Sequence, residues 1–184
     1  MLNQSYKKLE FLILTVIGIF ILACPSQELT TARLAVQQSD WSRADENYQK
    51  AMVLEPESPE IPLEYGVHIH LKNKDWTKMR EMFQKAIEID PNKKVEITGL
   101  FVPVLEAVNR FTEINWVEQY NFGAEKLREF DSIKSIEKAE DFDKVKYLSE
   151  AITFFKNASL IDPTDSRAFG AISNCYLQLQ DKKN

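Results

Sequence analysis

The chain reads as an all-helical protein built from repeated helical hairpins, on three observations. Its 184 residues hold only five glycines, too few for a β-sandwich or for glycine-rich phosphate loops. Hydrophobic residues make up 44% and charged residues 28%, the profile of a folded domain rather than a disordered chain. Above all, one pattern is written three times: a small residue or Met, an aromatic four on, an alanine three on, and a proline five on. It occurs as Ala44, Tyr48, Ala51, Pro56; as Met79, Phe83, Ala86, Pro91; and as Ala151, Phe155, Ala158, Pro163. The 4-3 spacing places the first three side chains on one helix face. The proline ends the helix, because the residue before it is pushed out of the α region.

Taken in chain order, the first element is an address. Phe11 to Ala23 is uncharged and apolar, preceded by Lys7 and Lys8. Thirteen residues fall short of the roughly 20 that span a bilayer. A basic start, a short apolar stretch and a small residue at its end are the parts of a secretory signal peptide. Ile21-Leu22-Ala23-Cys24 resembles the lipobox of bacterial lipoproteins. The resemblance implies cleavage before Cys24, with residues 1–23 removed, acyl chains on Cys24 and a short tether over 24–27. Several acyl chains hold a protein on a membrane stably, where one is marginal. Cleavage moves the net charge from −5 to −6, so the anchor is the lipid and not a basic patch. Pro25 is not the aspartate that retains lipoproteins in the inner membrane of enteric bacteria, which favours the outer membrane. An uncleaved helix anchored in the inner membrane stays open beside this reading.

The three repeated segments resemble helix B of the tetratricopeptide repeat, A-x3-F/Y-x2-A-x4-P, with Met79 the one departure. Ala32 and Gly66 fit the small position of the preceding helix A, where the two helices cross closely. The resemblance implies a right-handed superhelix of antiparallel helix pairs with three to four repeats over 28–184. The expected repeats are 28–56, 59–91, a degenerate one over 93–138 and 143–163, followed by a capping helix over 165–181. The degenerate repeat is inferred from spacing. Ala151 follows Met79 by 72 residues, about two repeats, and Asn115-Trp116 echoes Asp40-Trp41 and Asp75-Trp76. Its helices are expected near 93–111, interrupted by Pro103, and near 113–138, with a break at 139–143. The last helix is expected to turn Asn174, Gln178 and Gln180 to solvent, as terminal repeats require.

No catalytic or metal motif appears. His68 and His70 stand two apart, about 200° around a helix, and cannot share a metal. There is no phosphate loop or nucleophile elbow. The acidic residues Glu137, Glu140, Asp141 and Asp143 read as a solvated turn. Two cysteines exclude a disulfide scaffold, and the acidic balance argues against nucleic acid. The expectation is a non-catalytic adaptor without cofactor, binding other envelope proteins and held to the membrane by its N-terminal lipid. An enzyme or small-ligand site in the irregular middle is the remaining rival. In the repeat family partners lie along the concave surface lined by helix A. Carried over position by position, that surface implies Leu63, Val67, His70 and Leu71 in the second repeat, and Arg167, Asn174 and Leu177 in the last helix. Leu29, Arg33, Val36 and Gly170 hold the corresponding positions around them. The mixture predicts an apolar groove with few charges, suited to a helix or strand of another protein.

Overall fold

The computed structural model describes residues 25–134 and 144–180. The proposed signal peptide, Cys24, the expected break with its acidic residues and the last four residues lie outside the described residues. The chain divides into two compact units, one ending at Pro56 and one running from Glu57 onward.

The first unit is a helical hairpin of α1 (Gln27–Gln37) and α2 (Trp41–Leu54). Ser26 caps α1, its hydroxyl accepting from the Leu29 amide, and its own N–H donates to Glu55 Oε1 at 2.7 Å. Leu29, Ala32 and Ala35 are buried on α1, and Ala44, Tyr48 and Ala51 on α2. Between the helices Ser39 adopts a left-handed conformation (φ 58°). The Asp40 N–H donates to Ala35 O and that of Ser39 to Val36 O, which together close a Schellman turn. Asp40 then caps α2 by accepting from the Arg43 amide.

The second unit repeats this turn. Its first helix, α3 (Glu60–Tyr65), runs on through a π segment (Gly66–Leu71). Lys74 is left-handed (φ 56°), Asp75 and Lys74 donate to His70 O and Leu71 O, and Asp75 caps α4 (Trp76–Ile89) through the Lys78 amide. Because the two turns match, any difference in spacing must sit in the helix. Ala32 and Ala44 are 12 residues apart, Gly66 and Met79 are 13. A π turn takes up one extra residue without breaking a helix, and this one keeps the α4 face in register.

After α4 the chain departs from expectation. Asp90 turns it by accepting from the amides of Asn92 and Lys93. A β-hairpin follows, β1 (Lys94–Ile97) against β2 (Leu100–Pro103), antiparallel, with Lys94 opposite Pro103 and Ile97 opposite Leu100. The helix expected near 93–111 is therefore corrected. Val95 and Ile97 are buried while Lys94 and Glu96 are exposed, a strand's period of two. Thr98 and Gly99 both have positive φ, as a two-residue hairpin turn of this hand requires. Pro103 does not kink a helix. It closes β2, and α5 (Val104–Lys134) begins at the next residue. The Val104 and Leu105 amides donate to Lys93 O and Pro91 O, so the turn before β1 caps the helix.

Helix α5 is continuous for 31 residues and passes through 111–113, where one helix was expected to end and the next to begin. Antiparallel to it runs α6 (Lys144–Ile161), followed by α7 (Ser166–Gln180). A Cβ on Gly123 would lie 2.7 Å from the Phe155 ring, as one on Gly66 would lie 2.8 Å from the Phe83 ring. Gly123 is thus the small helix A residue facing the third aromatic. The expected repeats over 93–138 and 143–163 are corrected to one hairpin, α5 with α6, preceded by a β-hairpin. The extra length went into β1–β2 and into lengthening α5.

Two clusters make the core of this unit. One joins α3, α4, β1, the first half of α5 and the end of α6 around Leu63, Trp76, Phe83, Val95 and Val104. The other lies between α5, α6 and α7 around Phe130, Leu148, Phe155 and Cys175. The chain folds as a helical repeat with one small two-stranded sheet.

Candidate functional site

The residues expected to line a groove separate into two groups. Leu63 is fully buried and Val67 nearly so, both inside the α3–α4–α5 core, with Leu71 packed against it. His70 is buried at the end of the π segment, its ring 4.4 Å from that of Tyr65. Leu63, Val67 and His70 are interior residues and Leu71 is half-buried against them, and the reading of the first three as groove residues is corrected. The burial follows from the hairpin: Val95, Ile97 and Val104 come from the segment that was expected to be helix, and Leu63 and Val67 share their cluster.

The α7 residues behave differently. Asn174 is exposed and accepts from Gln178 Nε2 at 3.4 Å, and Leu177 is 64% exposed. Arg167 is pinned by Asp165 through two Nη2 and Nε contacts of 2.6 and 3.0 Å. Its guanidinium lies over the Trp116 ring, 4.3 Å from the centroid. Trp116 in turn stacks on Tyr120, 4.8 Å apart and 13° from parallel. The hydrogen bonds from Arg167 hold the Asp165 carboxyl below its ordinary range, and the same contacts raise Arg167. The pair is a closed, neutral unit laid on an aromatic shelf.

Helix α5 supplies the other half of this face. Val117, 42% exposed, stands six residues before Gly123, as Arg167 stands six before Ser173 and Glu60 six before Gly66. Tyr120 and Ala124 follow on the same stripe, partly buried. Gln119 and Asn157 fix α5 to α6, the Asn157 amide donating to Gln119 Oε1 at 2.9 Å. Sequence reasoning missed the α5 residues because it took Gly123 for helix B. The signal that could have found them is the match of Gly123 with Phe155. Trp116 is buried within α5, with its indole N–H unpartnered.

The resulting face, Val117, Tyr120, Arg167, Asn174 and Leu177, is shallow, aromatic and nearly uncharged. It offers stacking and apolar contact and one neutralised cation, the properties of a protein-binding surface. An open cleft of about 470 Å³ lies between the C-terminal half of α5 and Tyr147 of α6, lined by Glu125, Arg128, Glu129, Ser132, Ile133 and Tyr147. Within it the Ser132 hydroxyl donates to Arg128 O, as helix serines do. Lys126 pairs with Glu129 and Glu150 and is raised above its ordinary pKa, first by the Glu129 hydrogen bond. Among the described residues no group of His, Cys, Asp and Glu side chains could hold a metal ion. Burial pushes the Cys175 thiol up, which disfavours the reactive thiolate. Among the described residues no helix is long and apolar enough to cross a membrane.

No curated protein matches the chain. A family model, described as tetratricopeptide repeat, matches residues 65–93, from the end of α3 through the π segment and α4 to Lys93. That stretch contains Gly66, Phe83, Ala86 and Pro91, so the second unit of the helical repeat fold contains a segment similar to a tetratricopeptide repeat.

Proposed function

We propose that the chain is a non-catalytic adaptor that holds other proteins of the bacterial envelope and is anchored by lipid on Cys24, on the periplasmic side of the outer membrane. The observation that carries the adaptor reading is the face of α5 and α7. It presents Val117, Tyr120, Asn174 and Leu177 to solvent or half to solvent, around an Arg167–Asp165 pair that is already neutral. Tetratricopeptide repeats serve protein–protein contacts, and the repeat at 65–93 supports that class of partner. The anchor rests on the lipobox Ile21-Leu22-Ala23-Cys24.

The test is a crosslinking pull-down of the native protein extracted from membranes. Val117→Glu and Asn174→Glu place a charge on the face without touching the core. One envelope protein captured by the native chain and lost from both variants is the expected result. Capture unchanged by both would remove the face from the proposal. The anchor has its own readout: the mature N-terminus should begin at Cys24 with added acyl mass, and Cys24→Ala should leave the membrane fraction. A Cys24→Ala chain that stays membrane-bound, with residues 1–23 retained, would replace the lipid by an uncleaved helix.

A further inference from the structure

Helix α7 was expected to turn Asn174, Gln178 and Gln180 to solvent; Asn174 and Gln180 are exposed and Gln178 is half-buried, but apolar residues are exposed beside them. On the side opposite its buried Ala168 and Cys175 it exposes Phe169 (49%), Tyr176 (43%) and Leu177 (64%). Gly170 and Ser173 are exposed between them. Ser173 follows Pro163 by ten residues, as Gly66 follows Pro56, so it holds the small position that in α3 and α5 meets an aromatic ring at close range. A Cβ on Gly170 would meet nothing within 4 Å. Among the described residues the helix therefore carries the contact surface of a helix A with no helix B upon it.

The pattern of this face says what fits. We propose that α7 is a homodimer contact, pairing antiparallel with α7 of a second copy about a two-fold axis through Ser173. Under that axis residues at equal distance on either side of Ser173 meet. Gly170 faces Tyr176 of the second copy, so each small residue receives a ring. Phe169 faces Leu177 of the second copy, Ser166 faces Gln180, and the two Ser173 residues cross each other, where a small side chain is needed. An isologous contact requires this self-complementarity, and few helix faces have it.

Charge points the same way. The chain is acidic, with 28 Asp and Glu against 23 Lys and Arg, so most surfaces of two copies repel. Helix α7 contains one charged residue, Arg167, neutralised by Asp165 and turned aside to Trp116. Two copies can meet here without bringing carboxylates together. A helix of this length is about 22 Å long. Its pairing would bury on the order of 1,000 Å² in total, at the low end for specific interfaces, so the dimer is weak and reversible. The proposal goes beyond the adaptor reading, because it needs no partner protein; it shares Leu177 with the adaptor face and does not involve Val117.

The test is site-directed crosslinking of the full chain in membrane extracts with a short bis-maleimide. Ser173→Cys places the reactive group on the axis, and Thr153→Cys, exposed on α6, is the control. The native chain gives the background from Cys175 and from any Cys24 that carries no lipid. Ser173→Cys should yield at least about tenfold more crosslinked dimer than Thr153→Cys, and adding Leu177→Glu should return it to background. Circular dichroism checks that each variant keeps its helix content. Equal yields at 173 and 153 would overturn the dimer. A dimer at 173 that survives Leu177→Glu would overturn the register, and a crosslink from 173 to a different protein would give the face to another chain. Val117→Glu, which tests the adaptor face, should leave the dimer yield unchanged.

Discussion

Three glycines on three helices mark three environments, and alanine distinguishes them. A Cβ at Gly66 would lie 2.8 Å from the Phe83 ring and one at Gly123 2.7 Å from the Phe155 ring. Both rings are almost wholly buried in packed clusters that cannot let them retreat freely. Overpacking of this kind costs about 1–3 kcal/mol, more than the roughly 1 kcal/mol alanine gains over glycine in a helix. Gly66→Ala and Gly123→Ala should each lower the unfolding free energy, by up to about 2 kcal/mol net. Gly170→Ala meets nothing and should raise it by up to about 1 kcal/mol. Urea unfolding of the three variants beside the native chain checks the order. A neutral Gly123→Ala would mean that α5 does not cross α6 as helix A of that hairpin.

At the scale of elements, the chain repeats a turn as faithfully as it repeats a helix. Gln38-Ser39-Asp40 and Asn73-Lys74-Asp75 share no side chain except the capping aspartate. Both nevertheless put the middle residue at φ near 57° and close the same pair of hydrogen bonds. An L-residue with a side chain is strained there. Lys74→Gly should therefore stabilise the second unit by about 0.5–1 kcal/mol, less what glycine adds to the freedom of the unfolded chain. Thermal unfolding followed by circular dichroism measures it, and a loss of stability would show that the Lys74 side chain contributes more than its backbone costs. The helix B motifs and aspartate caps were legible because each is a local pattern with a fixed period. The β-hairpin was legible too, in Val95 and Ile97 alternating with charge and in Thr98-Gly99 before Leu100. It was overridden by the expectation that 72 residues between Met79 and Ala151 must hold a second repeat. The π turn could be inferred only from the 13-residue spacing of Gly66 and Met79. Neither pattern says that Leu63 and Val67 would be covered, because their cover comes from residues 95–108, distant in sequence.

Over the whole molecule, charge decides what kind of binding the described surface supports. Exposed pairs such as Lys50–Glu46 and Arg110–Glu106 cancel locally and are each worth little by themselves, and the net charge of −5 comes from the excess of carboxylates. The α5–α7 face has withdrawn from this balance, since its one cation is spent on Asp165 and Trp116. A partner recognised through an acidic tail or phosphate would find no free positive charge on Arg167. One recognised through aromatic and aliphatic side chains would find Tyr120, Val117 and Leu177. The two modes respond oppositely to salt. Charge recognition at the surface is screened over about 10 Å at 0.1 M and weakens steeply as salt rises, while apolar burial does not. For the partner captured through this face, raising salt from roughly 0.1 to 0.5 M should change the dissociation constant by less than about threefold. Titration by isothermal calorimetry at both concentrations measures it directly, with a negative heat-capacity change as the accompanying mark of apolar burial. A tenfold loss at the higher salt would mean that Arg167 leaves Asp165 to engage the partner, and Arg167→Gln should then abolish the salt dependence.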